Sequence, residues 1–224
     1  MTVVVLSWNA HANAPSQAGR VTRALTEWGG ADLQALVLTE VKGTRAALKA
    51  WGKEHGYRLF QERPNGRRDD ERGDTAVLLR VKGKHAVKPR RDWVAIMGEP
   101  WMVFRYRVLH QPRRHVRSVF LLPDGARVRL SGEHWPTRAN RAAWEESYAS
   151  ARRFLDRKRP ALVVGDLNAS RNDAAMLADD AGGKYGGRGV DWLVTNRSKG
   201  VRVNVTELIG GGSDHKGLLF EVVD

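Results

Sequence analysis

The chain has 224 residues, with 38 Lys and Arg against 25 Asp and Glu, and no cysteine. Without thiols neither a disulfide framework nor a zinc–thiolate site is available, so any metal is held by oxygen or imidazole, which points to a hard cation. The formal net charge of +13 favours a polyanionic partner, nucleic acid or an anionic membrane surface, and says nothing of fold.

The N-terminal run MTVVVLSWNAHAN is apolar over too few residues for a span and has no basic segment ahead of it, so it reads as the start of a cytoplasmic protein without a signal peptide. Val3 to Trp8 is expected as a buried strand. Val21, Leu25 and Trp28 then recur at helical spacing over Gln17 to Trp28, before a Gly29-Gly30 stop. Leu33 to Thr39 is a second apolar strand, Thr44 to His55 a helix ending at Gly56, Tyr57 to Gln61 a short strand and Thr75 to Val81 another. Consecutive strands follow at Trp93 to Met97, Trp101 to Leu109, Val116 to Leu122 and Ala126 to Gly132, the last two joined by the turn Pro123-Asp124-Gly125. Asn140 to Leu155 is a helix, Ala161 to Val164 a short strand, Asp173 to Leu177 helical, and Val190 to Thr195, Val201 to Thr206 and Gly217 to Val222 are strands. The Gly-rich run Gly182 to Gly189 is the candidate mobile loop. No repeat, heptad or linker divides the chain, so one domain over residues 1–224 is expected, as a monomer, with two stacked sheets and helices outside.

Acids, amides and histidines fall at the ends of these strands. Asn9 follows VVVLSW, Glu40 follows LVLT, His134 follows RVRLSGE, and Asp166 with Asn168 follows ALVVG; Asp191 opens DWLVT, and Asp214-His215 precedes GLLFEVV. A strand that is apolar throughout is buried on both faces, so a carboxylate at its end sits at the rim of the core, partly desolvated and rigidly placed. Singly, Asn9 and Asp191 read equally as turn or cap residues, Glu40 as a surface acid and His134 as a satisfied edge histidine. Six such endings at one rim would instead build a metal-binding, phosphate-handling pocket. Basic clusters at Arg63–Arg72, Lys82–Arg91, Arg113–Arg117 and Arg152–Arg159 read one by one as solvated faces, and together as the field of a protein that meets a long polyanion.

The segments SWN (7–9), LTEV with Glu40, GDTAVLLR (73–80), GEHWP with His134, VVGDLNAS with Asp166 and Asn168, VDWLV with Asp191 and GSDHKG with Asp214 and His215 run in the order of the endonuclease/exonuclease/phosphatase superfamily. The chain resembles that family, which includes DNase I and the exonuclease III-like endonucleases, over essentially its whole length. The resemblance implies an α/β fold, the four-layer αββα sandwich of the DNase I-like proteins, and a phosphoester hydrolase using Mg²⁺ or Mn²⁺. It implies that Glu40 is the principal metal ligand, with Asn9 and Asp214 as further ligands or partners behind it. Asp166 is then the group that holds and deprotonates the attacking water, and Asn168 fixes the phosphate or that water. Asp191 orients His215, whose cationic form suits charge on phosphorus, and His134 sits opposite as general acid or phosphate contact. His134 also sets the chain with the histidine group, the DNase I-like and many phosphatase members, rather than with the exonuclease III-like members that usually carry tyrosine there. Arg138 and Arg141 are candidates to clamp a flanking phosphate and Trp135 to stack on a base, with surface arginines and a core tryptophan as the alternative reading. Charge favours nucleic acid, DNA first, as substrate over a small phosphorylated molecule such as an inositol phosphate. A binding protein without catalysis is the third reading.

Overall fold

A computed structural model describes residues 2–12, 14–28, 33–61, 74–97, 101–103, 108–110 and 113–223. In chain order they form β1 (Thr2–Asn9), α1 (Ala18–Trp28), β2 (Ala35–Thr39), α2 (Arg45–His55), β3 (Tyr57–Gln61), β4 (Ala76–Arg80), β5 (Lys88–Met97), β6 (Trp101–Val103) and β7 (Val108–His110). There follow β8 (Arg113–Leu121), β9 (Arg127–His134), α3 (Arg141–Leu155), β10 (Ala161–Asp166), α4 (Arg171–Asp180), β11 (Lys184–Arg188), β12 (Asp191–Thr195), β13 (Arg202–Leu208) and β14 (Gly217–Val223).

The strands make two six-stranded sheets, β13-β14-β1-β2-β4-β3 and β11-β12-β10-β9-β8-β5, with β6 and β7 as a separate pair. One apolar cluster, with Val3, Val37, Leu130, Val164 and Phe220, lies between the sheets. A second, with Leu6, Leu25, Leu38 and Leu48, seals α1 and α2 onto the first sheet. A third, with Phe154, Val163, Leu177 and Val194, seals α3 and α4 onto the second. The order of layers is therefore helix, sheet, sheet, helix, the αββα sandwich expected. Among the described residues no helix is long and apolar enough to cross a membrane.

Local chemistry explains the element ends. Gly56 closes α2 in the left-handed conformation, Asn140 accepts from Ala143 N at the start of α3, and Ser170 and Asp173 form a reciprocal capping box that starts α4 at Arg171, two residues before the expected position. β5 extends back to Lys88 through a charged stretch and Pro89 because, among the described residues, it is the edge of its sheet and pairs only with β8, with its register shifted at Pro89/Arg91. The stretch Trp101 to Leu109, expected as one strand, contains β6 and the start of β7, paired with each other. Gly182 to Gly189 is not a free loop: residues 184–188 form β11 and pair with β12. Glycine is required there because a Cβ on Gly187, at φ +157°, would stand 2.3 Å from Asp191 O. The Gly29-Gly30 stop and the Arg63–Arg72 cluster lie outside the described residues, as do the side chains of Arg113 and Arg114.

Candidate active site

The alternation that builds the inter-sheet core also builds the site. Val3 and Val5 face the second sheet, and Asn9 is on the same face of β1; Leu162 and Val164 lead to Asp166, Val128 and Leu130 to His134, and Leu193 shares its face with Asp191. The parallel pairing of β10 with β9 places Asp166 opposite His134, and its antiparallel pairing with β12 places Asp166 opposite Asp191. All of these ends point to one rim of the seam between the sheets.

There Asn9, 1% exposed, donates from Nδ2 to Glu40 Oε1 (3.1 Å) and to Asp166 Oδ2 (3.0 Å), which ties the two carboxylates together across the seam. Its Oδ1 accepts the His11 N–H at 3.1 Å. Asp166 Oδ1 accepts the Asn168 N–H at 3.0 Å, and Asn168 Nδ2 donates to the Trp135 carbonyl at 2.8 Å. His134 donates from Nδ1 to Asp74 Oδ2 at 2.6 Å and turns Nε2 toward Glu40 Oε1 (3.8 Å) and Asp166 Oδ2 (3.7 Å). His215 Nδ1 donates to Asp191 Oδ2 at 2.8 Å. Asp214 is largely exposed and lies 3.5 Å from His11 Nδ1, itself 3.7 Å from Glu40 Oε2. Beside this rim is a cavity of about 290 Å³ lined by Arg188, Asp191, Asp214, His215 and Lys216, with Glu207 paired to both Arg188 and Lys216.

The electrostatics follow from burial and pairing. The hydrogen bond to Asp191 raises the pKa of His215 to about 9 against the opposing effect of its burial, so its imidazolium persists through neutral pH. Burial pushes the Asp191 carboxyl above its ordinary range, opposed by the bond from His215, and Asp191 Oδ1 has no hydrogen-bond partner among the described residues. Glu40, His134 and Asp166 each offer an atom within 4.8 Å of the others, as do Asp166, Asp191 and His215. A set of carboxylate oxygens and imidazole nitrogens at that spacing fits a hard divalent cation.

Backbone strain marks the same place. Among the described residues the non-glycine positions with positive φ are His11 (43°), Glu40 (52°) and Asn168 (43°), all at the rim. Left-handed backbone costs such residues on the order of 1–3 kcal/mol each and persists where the surroundings impose it. Gly165, one residue before Asp166, is needed for close approach: a Cβ there would lie 2.0 Å from Glu133 O.

Of the residues singled out in the sequence, Asn9, Glu40, His134, Asp166, Asn168, Asp191, Asp214 and His215 come together at this rim. Trp135 cannot stack on a base. The residue is 1% exposed, its ring meets Trp144 edge-on at 5.4 Å and donates from Nε1 to Glu133 at 2.6 Å; it is a core tryptophan that offers the rim only its backbone. Arg138 is paired with Asp173 and lies over the Trp144 ring, and Arg141, exposed, pairs with Glu145 one turn along α3. Two rim residues escape the sequence reading. Asp74 carries the same signal as the others, an acid at the end of an apolar strand. His11 has no signal beyond its nearness to Asn9.

Two stacked sheets that bring carboxylates, amides and paired imidazoles to one rim define a phosphoesterase sandwich. The chain belongs to the Endonuclease/Exonuclease/phosphatase family, whose model matches residues 6–215. No curated protein matches by sequence. Among solved structures it is similar to D. rerio TDP2 complexed with single strand DNA product (14% identity, 100% of this chain and 99% of that one, TM-score 0.69). It is similar to a Bacteroides thetaiotaomicron mannosyl-6-phosphatase (14%, 99% and 100%, TM-score 0.70) and to the human Nocturnin catalytic domain with bound sulfate (14%, 99% and 93%, TM-score 0.63). At this identity the likeness is one of fold.

Proposed function

We propose that this protein is a divalent-metal-dependent nuclease that hydrolyses phosphodiester bonds of nucleic acid, DNA first. The observation that carries the reading is the rim itself, where Glu40 and Asp166 are bound together by Asn9 opposite two carboxylate-oriented histidines, in a chain of net charge +13. Glu40 would be the chief holder of Mg²⁺ or Mn²⁺, with Asp214 beyond His11. Asn9, facing the carboxylates with its amide nitrogen, steers them rather than ligating. When bound, the ion supplies Lewis acidity and neutralises charge on a phosphate oxygen.

The other steps belong to the chain's own side chains. Asp166 is held at both oxygens, by Asn9 and by the Asn168 N–H, so it is aimed to take the proton of an attacking water. Asn168, fixed through the Trp135 carbonyl, has amide capacity left for the phosphate. His215 remains cationic and stabilises charge developing on the phosphoryl oxygens. His134 is anchored at Nδ1 by Asp74 and presents Nε2 to the leaving oxygen, as acid or as contact. Arg138 and Arg141 could reach a flanking phosphate only by leaving Asp173 and Glu145.

The compact cavity beside the rim, with Arg188 and Lys216 on its wall, favours a second reading, a phosphatase of a small phosphorylated molecule. A non-catalytic nucleic-acid binder is disfavoured, because Asp166 and Asp191 are buried at a desolvation cost that binding alone does not require. The test is hydrolysis of plasmid, linear duplex, single-stranded DNA and RNA, beside inositol and sugar phosphates, with Mg²⁺, with Mn²⁺ and with chelator. Metal-dependent cleavage of a nucleic acid is expected. Efficient release of phosphate from the small molecules with none from nucleic acid would replace this reading by the second.

A further inference from the structure

At the end of the second sheet away from the rim, β5, β8, β9 and the turn after α3 enclose a groove of about 410 Å³. Its walls follow from the alternation along β9. Val128 and Leu130 face the first sheet, so Arg127 and Arg129 face the α3 layer. α3 stops at Leu155, and the chain returns across the sheet end as Arg157-Lys158-Arg159. That turn is built rather than loose: Asn196 Nδ2 donates to the carbonyls of Leu155 (2.9 Å), Arg157 (2.7 Å) and Arg159 (2.9 Å). Arg129 is fixed as well, donating to the Phe154 carbonyl at 2.7 Å with its guanidinium 4.0 Å from the Phe154 ring centroid.

Six cations line the groove: Arg91, Arg127, Arg129, Arg157, Lys158 and Arg159, with no acid among the lining residues. Elsewhere on the surface several arginines and lysines are matched, Arg138 with Asp173, Arg152 with Asp180, Arg188 and Lys216 with Glu207. Among the described residues none of the six forms an ion pair, and the sequence neighbours Asp92 and Asp156 do not reach them. The crowding is felt: burial and the charges of Arg157, Arg117 and Arg159 hold the Arg129 guanidinium down to about 10. Like charges gathered at one place destabilise a fold, and a bound anion removes that repulsion. On the wall is the half-buried indole of Trp93, with Arg91 5.2 Å from its centroid. Among the described residues the exposed large apolar side chains, Met176, Val205 and Ile209, all lie outside this groove.

We propose that the groove is a second contact for nucleic acid, gripping the phosphodiester backbone of the strand whose scissile phosphate is at the rim. This rests on the nuclease reading. Seven residue steps of β9 separate Arg127 from His134, about 23 Å at roughly 3.3 Å per residue. At the duplex rise of roughly 3.4 Å per step, that span takes at least about seven nucleotides. A strand of ten or more nucleotides therefore engages both places, and a tetranucleotide reaches only one.

The test replaces three exposed arginines that stand apart from the rim, in the variant Arg127→Ser/Arg157→Ser/Arg159→Ser. Binding of a labelled 25-nucleotide single strand is followed by fluorescence anisotropy against salt. Three lost phosphate contacts should flatten the log–log salt slope by about 2, at roughly 0.7 per contact on single strands. KM for the 25-mer should rise on the order of tenfold or more, while cleavage of a tetranucleotide and of bis-p-nitrophenyl phosphate stays unchanged. An unchanged slope and KM for the 25-mer overturns the proposal, and so does an equal loss on the tetranucleotide, which would mean that the variant disturbs the rim. Loss of binding to phosphatidylserine vesicles with oligonucleotide binding intact would make the groove a lipid contact and also overturns it. If the wild-type protein cleaves no nucleic acid but the slope still flattens, the nuclease reading falls and the groove contact stands.

Discussion

Glu133→Gln offers a test of the packing that holds the rim from behind. Glu133 is fully buried under α3. Its Oε1 accepts from Ser131 Oγ (2.5 Å) and lies 3.5 Å from Arg117 Nη2, and its Oε2 accepts from Trp135 Nε1 (2.6 Å) and lies 3.2 Å from His115 Nδ1. Burial pushes this carboxyl up, but His115, Arg117 and the Ser131 bond outweigh it and bring its pKa from 4.5 down to about 2. Glutamine keeps the shape, leaves Arg117 and His115 facing a neutral amide, and turns NH₂ donors toward groups that already donate. The interval from 4.5 to about 2 corresponds to about 3 kcal/mol at roughly 1.36 kcal/mol per decade of acidity, in the range found when one partner of a buried pair is removed. For a chain of this length that is a Tm lower by about 6–12 °C. Because the folded-state pKa is depressed, the contribution of Glu133 is fully present above pH 4.5 and is lost as pH falls through about 2. Urea unfolding of wild type and variant at pH 7, 5 and 3.5 should therefore show a gap of about 3 kcal/mol that holds to pH 5 and narrows in acid. A gap below about 0.5 kcal/mol at pH 7, or one that widens in acid, would refute the reasoning.

Glu40→Gln should abolish metal-dependent hydrolysis while thermal stability holds or rises, since it removes one of two adjacent carboxylate charges and keeps the shape; full activity at ordinary Mg²⁺ would remove Glu40 from the site. Asp74→Asn should lower kcat by about 10–100-fold with KM nearly constant, as expected for a residue that orients another; an unchanged kcat would mean that His134 needs no anchor. The His215 pKa of about 9 predicts that activity depending on its cationic form is kept below that pH and lost as pH rises through it. Asp191→Asn should move this alkaline limb toward 6.5, and a limb that does not move assigns it to another group.

Much of the rim was legible because its logic is local. Asn9, Glu40, Asp166 and Asp191 each adjoin a run of apolar residues, and an acid or amide at such a place is visible without knowing which strands are neighbours. Asp74 has the same mark, inside the segment GDTAVLLR, where the resemblance assigns no role to a single residue. The partners were not legible: that Asn9 bridges Glu40 and Asp166, 157 residues apart in the second case, or that Asp166 stands opposite Asp191, depends on strand order and register. Trp135 shows the opposite error, an aromatic beside a rim histidine whose burial is decided by α3 packing. Gly182 to Gly189 reads as loop by composition, yet its small residues are what allow β11 to approach β12 and β13.

β14 is not added to an edge of the first sheet but inserted between β13 and β1, and the segment before it brings Asp214 and His215 to the rim. Synthesis runs in the other direction, so every other element described is made before this strand. Until Gly217–Val223 emerges, β1 keeps one hydrogen-bonding edge open and Asp191 has no imidazole to meet. A nascent chain of strong positive charge, born beside ribosomal RNA, therefore completes this rim only when translation has passed residue 215.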